Sequence, residues 1–134
     1  MELLATELRL GNYVWEDYGG YMIVTAIYPK TEDENQVVYL AKNDKMPSGY
    51  FHISKIEAIP LTEELLLNCG FKRSQTQDKY FVKDNKFGIS TADGKFRFIM
   101  GNFVCQLVLR EIESLHLLQN LYFILTDEEL PINL

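Results

Sequence analysis

The sequence predicts an α+β fold, and three observations support this prediction. Asp84-Asn85, Asp93-Gly94 and Gly101-Asn102 each separate short runs rich in aromatic and β-branched residues. Such dipeptides tolerate the positive φ of tight hairpin turns, so they predict consecutive antiparallel strands. Further short extended runs occupy the first sixty residues, and two segments with helical apolar spacing flank the hairpins. The 134 residues suffice for one ordinary domain or two small ones.

The N-terminal part, residues 1–60, is expected to be an SH3-like small β-barrel. Extended runs at 12–16, 21–28, 36–41 and 50–59 are separated by turn-forming and charged residues. The last run shifts its alternation near Ser54, as a β-bulge would. Four or five short strands within about sixty residues are typical of a strongly bent small barrel.

The second part, residues 61–134, is expected to contain a short helix, a four-stranded antiparallel meander and a long C-terminal helix. Thr62 is a suitable N-cap, and Gly70 is a suitable left-handed residue after the helix, which would let Phe71 pack on Leu66. The meander strands are predicted at 79–83, 86–92, 95–100 and 103–109.

The long helix is predicted over residues 112–125, across one face of the meander. Glu113, His116 and Asn120 would share one narrow polar face, and apolar residues cover most of the remaining circumference. This apolar arc is wider than packing on one sheet requires, so the N-terminal domain or a second copy of the chain would cover the rest. Thr126 is predicted to cap a further helix that ends at Pro131.

Composition and charge indicate a soluble protein with a basic centre. The net charge is −6, made up of −6 over residues 1–70, +5 over 71–110 and −5 over 111–134. The chain has neither a membrane-spanning apolar run nor an export signal at its start, so a cytoplasmic location without membrane contact is expected. Cys69 and Cys105 are interpreted as reduced core thiols.

Three blocks of sequence suggest a family. The segments Glu7–Val14, Ile59–Leu66 and Leu118–Leu130 resemble, in order and spacing, those of small uncharacterised proteins from gut-bacterial genomes and their mobile elements. The resemblance implies a bacterial or phage accessory protein. It implies no activity, ligand or catalytic residue.

The residue patterns predict that the protein is not an enzyme and has no cofactor or metal. The sequence has no phosphate-binding glycine loop, nucleophile elbow or metal-binding motif. His52 and His116 fall in different predicted domains, and we interpret both as surface or structural residues. The acidic clusters 32–34 and 127–129 lack the spacing of a calcium loop and are interpreted as a solvated loop and a helix start.

A nucleic-acid-binding module is the alternative hypothesis, based on the basic segment 79–97. The candidate patch consists of five cations: Lys79, Lys83, Lys86, Lys95 and Arg97. Because neighbouring side chains of a strand point to opposite faces, Lys95 and Arg97 would lie opposite Phe96 and Phe98. The aromatic rings would then face the core, unlike those of a base-stacking surface.

The leading hypothesis is a protein-binding accessory factor whose partner is an unknown protein or, through the last helix, a second copy of the chain. Exposed aromatic residues often dominate binding. The candidate surface contains five aromatic residues: Tyr13, Trp15, Tyr18, Tyr122 and Phe123. For Trp15, a place in the barrel core is the competing interpretation.

Overall fold

The computed structural model describes residues 3, 5–28, 36–42, 46–84, 87–101 and 106–134. The chain divides into two compact units, Met1–Pro60 with Ser114–Asp127 and Leu61–Glu113 with Glu128–Leu134. Helices and antiparallel sheets occur in separate stretches of the chain, so the predicted α+β class is confirmed. Several predicted features lie outside the described residues, namely the 32–34 cluster, Asn85, Lys86, Asn102 and Cys105.

The first unit contains a curled five-stranded antiparallel sheet. Its strands are β1 (Tyr13–Glu16), β2 (Gly20–Ile27), β3 (Val37–Lys42), β4 (Met46–His52) and β5 (Ile56–Glu57), in the order β4-β3-β2-β1-β5. The register shifts between Val24 and Ala26 on β2 and between Leu40 and Ala41 on β3. Such bulges increase the local twist and bend the strands.

One face of this sheet covers a hydrophobic core. Alternate residues of β1 and β2 point inward because side chains of a strand alternate between its two faces. The core cluster consists of Leu3, Val14, Met22, Val24, Val38, Leu40, Ile56 and Ala58. The opposite face therefore carries the residues between them, including Trp15 and Tyr21.

The predicted extended run 50–59 is interrupted. A 3₁₀ turn at Ile53–Lys55 separates β4 from β5, which then pairs with β1. The irregularity expected near Ser54 thus exists, but it is a helical turn that redirects the chain instead of a bulge within one strand.

The last helix, α2 (Leu115–Thr126), belongs to the first unit. Its buried side includes polar as well as apolar residues: His116 is 1% exposed and Gln119 is 2% exposed, like the buried Leu115, Leu118 and Tyr122, whereas Ile124 is 76% exposed. Of the two roles expected for His116, surface or structural, its buried position fits the structural one. The helix also includes Thr126, and Asp127 ends it in the left-handed conformation at φ 58°, so the predicted new helix at Thr126 is wrong.

The second unit opens with α1 (Glu63–Asn68), whose two ends match the prediction. The Thr62 side chain accepts a hydrogen bond from the Leu65 amide at 3.1 Å, as an N-cap does. Gly70 has φ 87°, and the amides of Gly70 and Phe71 donate to the carbonyls of Leu67 and Leu66. This is the hydrogen-bond pattern of a Schellman motif.

A second five-stranded antiparallel sheet follows. Its strands are β6 (Lys72–Arg73), β7 (Tyr80–Lys83), β8 (Phe87–Ser90), β9 (Arg97–Gly101) and β10 (Gln106–Glu111), in the order β10-β9-β8-β7-β6. Four strands were predicted, and β6 is the addition. Positive φ occurs at Asp84 and Gly94, two of the predicted turn positions.

The predicted second domain, residues 61–134, includes the last helix. The structure instead groups α2 with the first unit. The prediction puts this helix on the meander. In the structure the Leu115 amide donates to the Ile59 carbonyl at 2.8 Å, and hydrogen bonds from α2 reach the segment before β1.

Candidate protein-interaction surface

A row of side chains crosses three neighbouring strands of the first sheet on the face opposite the core. Trp15 lies directly opposite Tyr21 on β2 and directly opposite Glu57 on β5. We call Tyr21, Trp15 and Glu57 the Trp15 row. All three side chains are exposed, Trp15 to 37% and Tyr21 to 41%. Trp15 thus does not fill the barrel core, which was the competing interpretation.

The two aromatic rings of the Trp15 row hold each other in place. Their centroids are 5.2 Å apart and their planes meet at 84°, an edge-to-face contact. Such pairs contribute attraction beyond that of area burial alone. The Trp15 ring also lies over Gly20, where a Cβ would be 3.7 Å from the ring and where φ is 75°. The Trp15 ring therefore packs against Tyr21 and lies next to Gly20 while it stays partly exposed.

Tyr18 stands at the tip of the β1–β2 turn, next to this row. The buried carboxylate of Glu16 accepts hydrogen bonds from the amides of Tyr18 at 3.0 Å and Gly19 at 2.5 Å. These charge-assisted bonds fix the turn. Tyr18 is 99% exposed, so an ordered turn presents this ring fully to solvent.

A second group of tyrosines, which the sequence analysis missed, occupies the β3–β4 side of the same sheet. Tyr39 and Tyr50 are opposite each other, with ring centroids 4.8 Å apart, and Tyr28 and Tyr50 are 5.4 Å apart. The pKa of Tyr28 is raised, mainly by a side-chain hydrogen bond to Tyr50 and to a lesser extent by burial. The tyrosines were visible in the sequence, but only the strand register brings them together.

The remaining candidate residues are less accessible. Tyr13 is half-buried, and its amide donates to Oε1 of Gln119 at 2.8 Å. Tyr122 is 4% exposed, so it is removed from the candidate surface. Phe123 is half-buried, with the guanidinium of Arg9 4.4 Å from its ring centroid. Of the five predicted residues, Trp15 and Tyr18 are therefore the two that are exposed, one on β1 and one in the turn that follows it.

The buried polar side of α2 binds the segment that precedes β1. Gln119 accepts from the Tyr13 amide and donates to the Gly11 carbonyl at 3.0 Å. Asn120 donates to the Glu7 carbonyl at 2.6 Å and accepts from Nδ2 of Asn12 at 2.8 Å. Because these partners are backbone groups and a buried side chain, the contacts fix the position of the helix on its own unit.

His116 links two residues in an order that resembles a catalytic triad. Its Nδ1 is 3.1 Å from Oγ of Ser114, and its Nε2 is 3.2 Å from Oε2 of Glu7. Ser114 and His116 are each 1% exposed. A nucleophile must reach its substrate, and this hydroxyl is enclosed, so the arrangement is structural. Burial lowers the pKa of His116, and Glu7 partly opposes this effect.

The basic candidate patch is partly neutralised by neighbouring carboxylates. Nε of Arg97 is 2.7 Å from Asp93, and Nζ of Lys95 is 3.8 Å from Glu111. Lys79 is exposed and Lys83 is half-buried, whereas Lys86 lies outside the described residues. These ion pairs weaken the attraction to phosphate groups.

Of the two aromatic residues beside these cations, Phe98 on β9 is buried as the alternation predicts, whereas Phe96 lies before the strand. Phe98 is 0% exposed and Phe96 is half-buried. A base-stacking surface requires exposed rings next to cations. The described part of this sheet does not offer that combination at Phe98.

The second unit also contains a shallow hollow on its surface. It has a volume of about 310 Å³ and is lined by Leu67, Asn68, Cys69, Gly70, Pro131, Ile132 and Asn133. Cys69 is a buried free thiol, and burial raises its pKa to about 11. A thiol in this state is a poor nucleophile and a poor metal ligand.

Among the described residues, no three His, Cys, Asp or Glu side chains are placed to hold a metal. None of the helices in the described part of the chain has the length and apolar character needed to cross a membrane. Comparisons with models of protein families, with curated proteins and with solved structures find no match.

Proposed function

We propose that the protein is a protein-binding module that uses the exposed Trp15 row and the neighbouring turn residue Tyr18 of the first sheet. The observation that carries this proposal is the Trp15 row with Tyr18 beside it. Trp and Tyr contribute large contact areas at low cost in side-chain entropy and are enriched among binding hot spots. Here they are exposed, the Trp15 and Tyr21 rings pack edge to face, and hydrogen bonds to Glu16 hold the backbone of the turn that carries Tyr18.

We further propose that the first sheet is a small barrel of the SH3-like kind. The return of β5 to pair with β1 supports this proposal, because it places the last strand beside the first. The two bulges and the 3₁₀ turn provide the bending that a small barrel requires. A protein of this kind would act as an accessory factor of a bacterial genome or mobile element, in line with the family resemblance of its three sequence blocks.

The experiment compares capture of binding proteins by matched variants. The wild-type protein and the Trp15→Ser, Tyr18→Ser and Tyr50→Ser variants are immobilised at equal density and exposed to the same bacterial lysate, with and without nuclease treatment. Tyr50 is the matched control because it is an aromatic residue of the same sheet, 66% exposed, near the other end of the face. Circular dichroism checks that each variant is folded.

We expect the wild type and Tyr50→Ser to capture a set of proteins from the lysate. Trp15→Ser and Tyr18→Ser should not capture these proteins. Equal retention by all four proteins would overturn the proposal. Capture that disappears for the wild type when the lysate is treated with nuclease would also overturn it, in favour of the basic segment 79–97 and a nucleic-acid partner.

A further inference from the structure

The Trp15 row ends in a carboxylate. Glu57 lies directly opposite Trp15 across the β1–β5 pair, so their side chains project from the same face of the sheet. Glu57 is exposed, whereas its neighbour Ile56 is buried in the core. An indole ring and an acidic group are thus adjacent at the surface.

A second acidic residue, Asp17, follows β1 in the turn that carries Tyr18, and it too is exposed. Neither Glu57 nor Asp17 forms an ion pair with any described residue, including the exposed Lys55 close in sequence. Both carboxylates therefore remain available, in contrast to Asp93 and Glu111, which neutralise cations of the second sheet.

The whole first unit is acidic. Residues 1–60 and 114–127 contain ten acidic and five basic residues, a net charge of −5, whereas the second unit has a net charge of −1. The field of the first unit thus favours the approach of a positively charged partner.

We propose that the Trp15 row binds an arginine-containing segment of a protein partner. The guanidinium stacks on the indole face of Trp15 and donates hydrogen bonds to the Glu57 carboxylate, and Tyr18 packs against the stem of the side chain. Arginine is favoured over lysine because its planar group both stacks on aromatic rings and forms forked hydrogen bonds with carboxylates. This inference rests on the proposed function and adds the chemistry of the partner.

Arginine peptides test the inference directly. Trp15 is the only tryptophan of the chain, so its fluorescence reports binding at this row. The probe is a short peptide of glycine, serine and two arginines, and its matched control contains citrulline, a neutral isostere, in place of each arginine. The proteins are the wild type, Glu57→Gln and the control Glu64→Gln, which removes an exposed carboxylate of α1.

We expect a saturable change in fluorescence with the arginine peptide that weakens as salt is added. The citrulline peptide and the Glu57→Gln variant should each bind about tenfold more weakly, as the loss of one charge-assisted hydrogen bond implies. Glu64→Gln should bind like the wild type. Equal binding of both peptides, or equal affinity of Glu57→Gln and the wild type, would overturn the inference.

The failures of the two proposals can be told apart. If Trp15→Ser and Tyr18→Ser lose their captured proteins while Glu57→Gln keeps them, the row binds protein and the arginine inference is wrong. If all these variants capture equally, the proposed function itself is wrong.

Discussion

His116 lies buried in the first unit with both ring nitrogens in hydrogen-bonding contact. Nδ1 faces the Ser114 hydroxyl and Nε2 faces the Glu7 carboxylate, and the ring is 1% exposed. A neutral ring that donates from Nε2 and accepts at Nδ1 satisfies both partners. Burial keeps the pKa of His116 below its usual value of 6.5.

This lowered pKa predicts a pH dependence of stability. As the pH falls through about 6.5, the unfolded chain binds a proton at this residue before the folded chain does, so the free energy of unfolding decreases. It should be highest above about pH 7.5 and level off once the folded protein is also protonated. Urea unfolding between about pH 8 and about pH 5.5 measures this slope.

Two variants assign the slope to one residue, since the chain has two histidines. His116→Asn should flatten the slope, whereas His52→Asn should keep it because His52 is exposed. Equal slopes for His116→Asn and the wild type would contradict the prediction.

In β8, the ring of Tyr80 from the neighbouring strand β7 fills the space that a side chain at Gly88 would occupy. A Cβ on Gly88 would lie 2.0 Å from the hydroxyl oxygen of Tyr80 and 2.4 Å from its Cζ. The Tyr80 ring therefore packs over the Gly88 backbone. Burial at this position raises the pKa of Tyr80.

Gly88→Ala should destabilise the second sheet by about 1–3 kcal/mol, because the new methyl group forces the Tyr80 ring away. In a Tyr80→Ala background the same change should cost much less, and the difference is the coupling energy of a double-mutant cycle. Urea unfolding of the four proteins supplies the cycle. Additive effects of the two substitutions on the free energy of unfolding would show that Gly88 and Tyr80 are not coupled, which would contradict the prediction.

The elements differ in how well the sequence predicts them. Thr62 and Gly70 define α1 through bonds to residues within five positions, so local patterns suffice. The contact between Gly88 and Tyr80, and β6 itself, depend on pairing between strands, which composition alone does not encode. Side-chain alternation correctly placed Phe98 inside, because it follows from strand geometry.

For the molecule as a whole, the path of the chain was the feature hardest to predict. The polar residues of α2 were predicted only to share one narrow face of a helix that packs on the meander. In the structure they meet backbone groups more than a hundred residues earlier in the chain. No local pattern indicates such partners. The candidate surface shows the same limit, since Trp15 and Tyr18 were recognised but Tyr21 and Glu57, which strand pairing places opposite Trp15, were not.

The predicted homodimer through α2 leads to a measurement on the intact protein. Ile124 is 76% exposed and Leu125 is 36% exposed, and Leu117 and Leu121 on nearby turns are half-buried. If a second copy covers these residues, light scattering gives twice the chain mass of 15.6 kDa. Ile124→Glu should then return the monomer mass. A monomer for the wild type at high concentration would rule the dimer out.

The return of α2 to the first unit has a consequence for synthesis. Residues 61–113 are made between the two pieces of that unit, which takes roughly 3 to 10 s at ordinary translation rates. During this interval the Tyr13 amide and the Gly11 carbonyl lack Gln119, their eventual partner. The first sheet therefore lacks these contacts with α2 while residues 61–113 are being synthesised. The first unit can complete its folding only after α2 has left the ribosome.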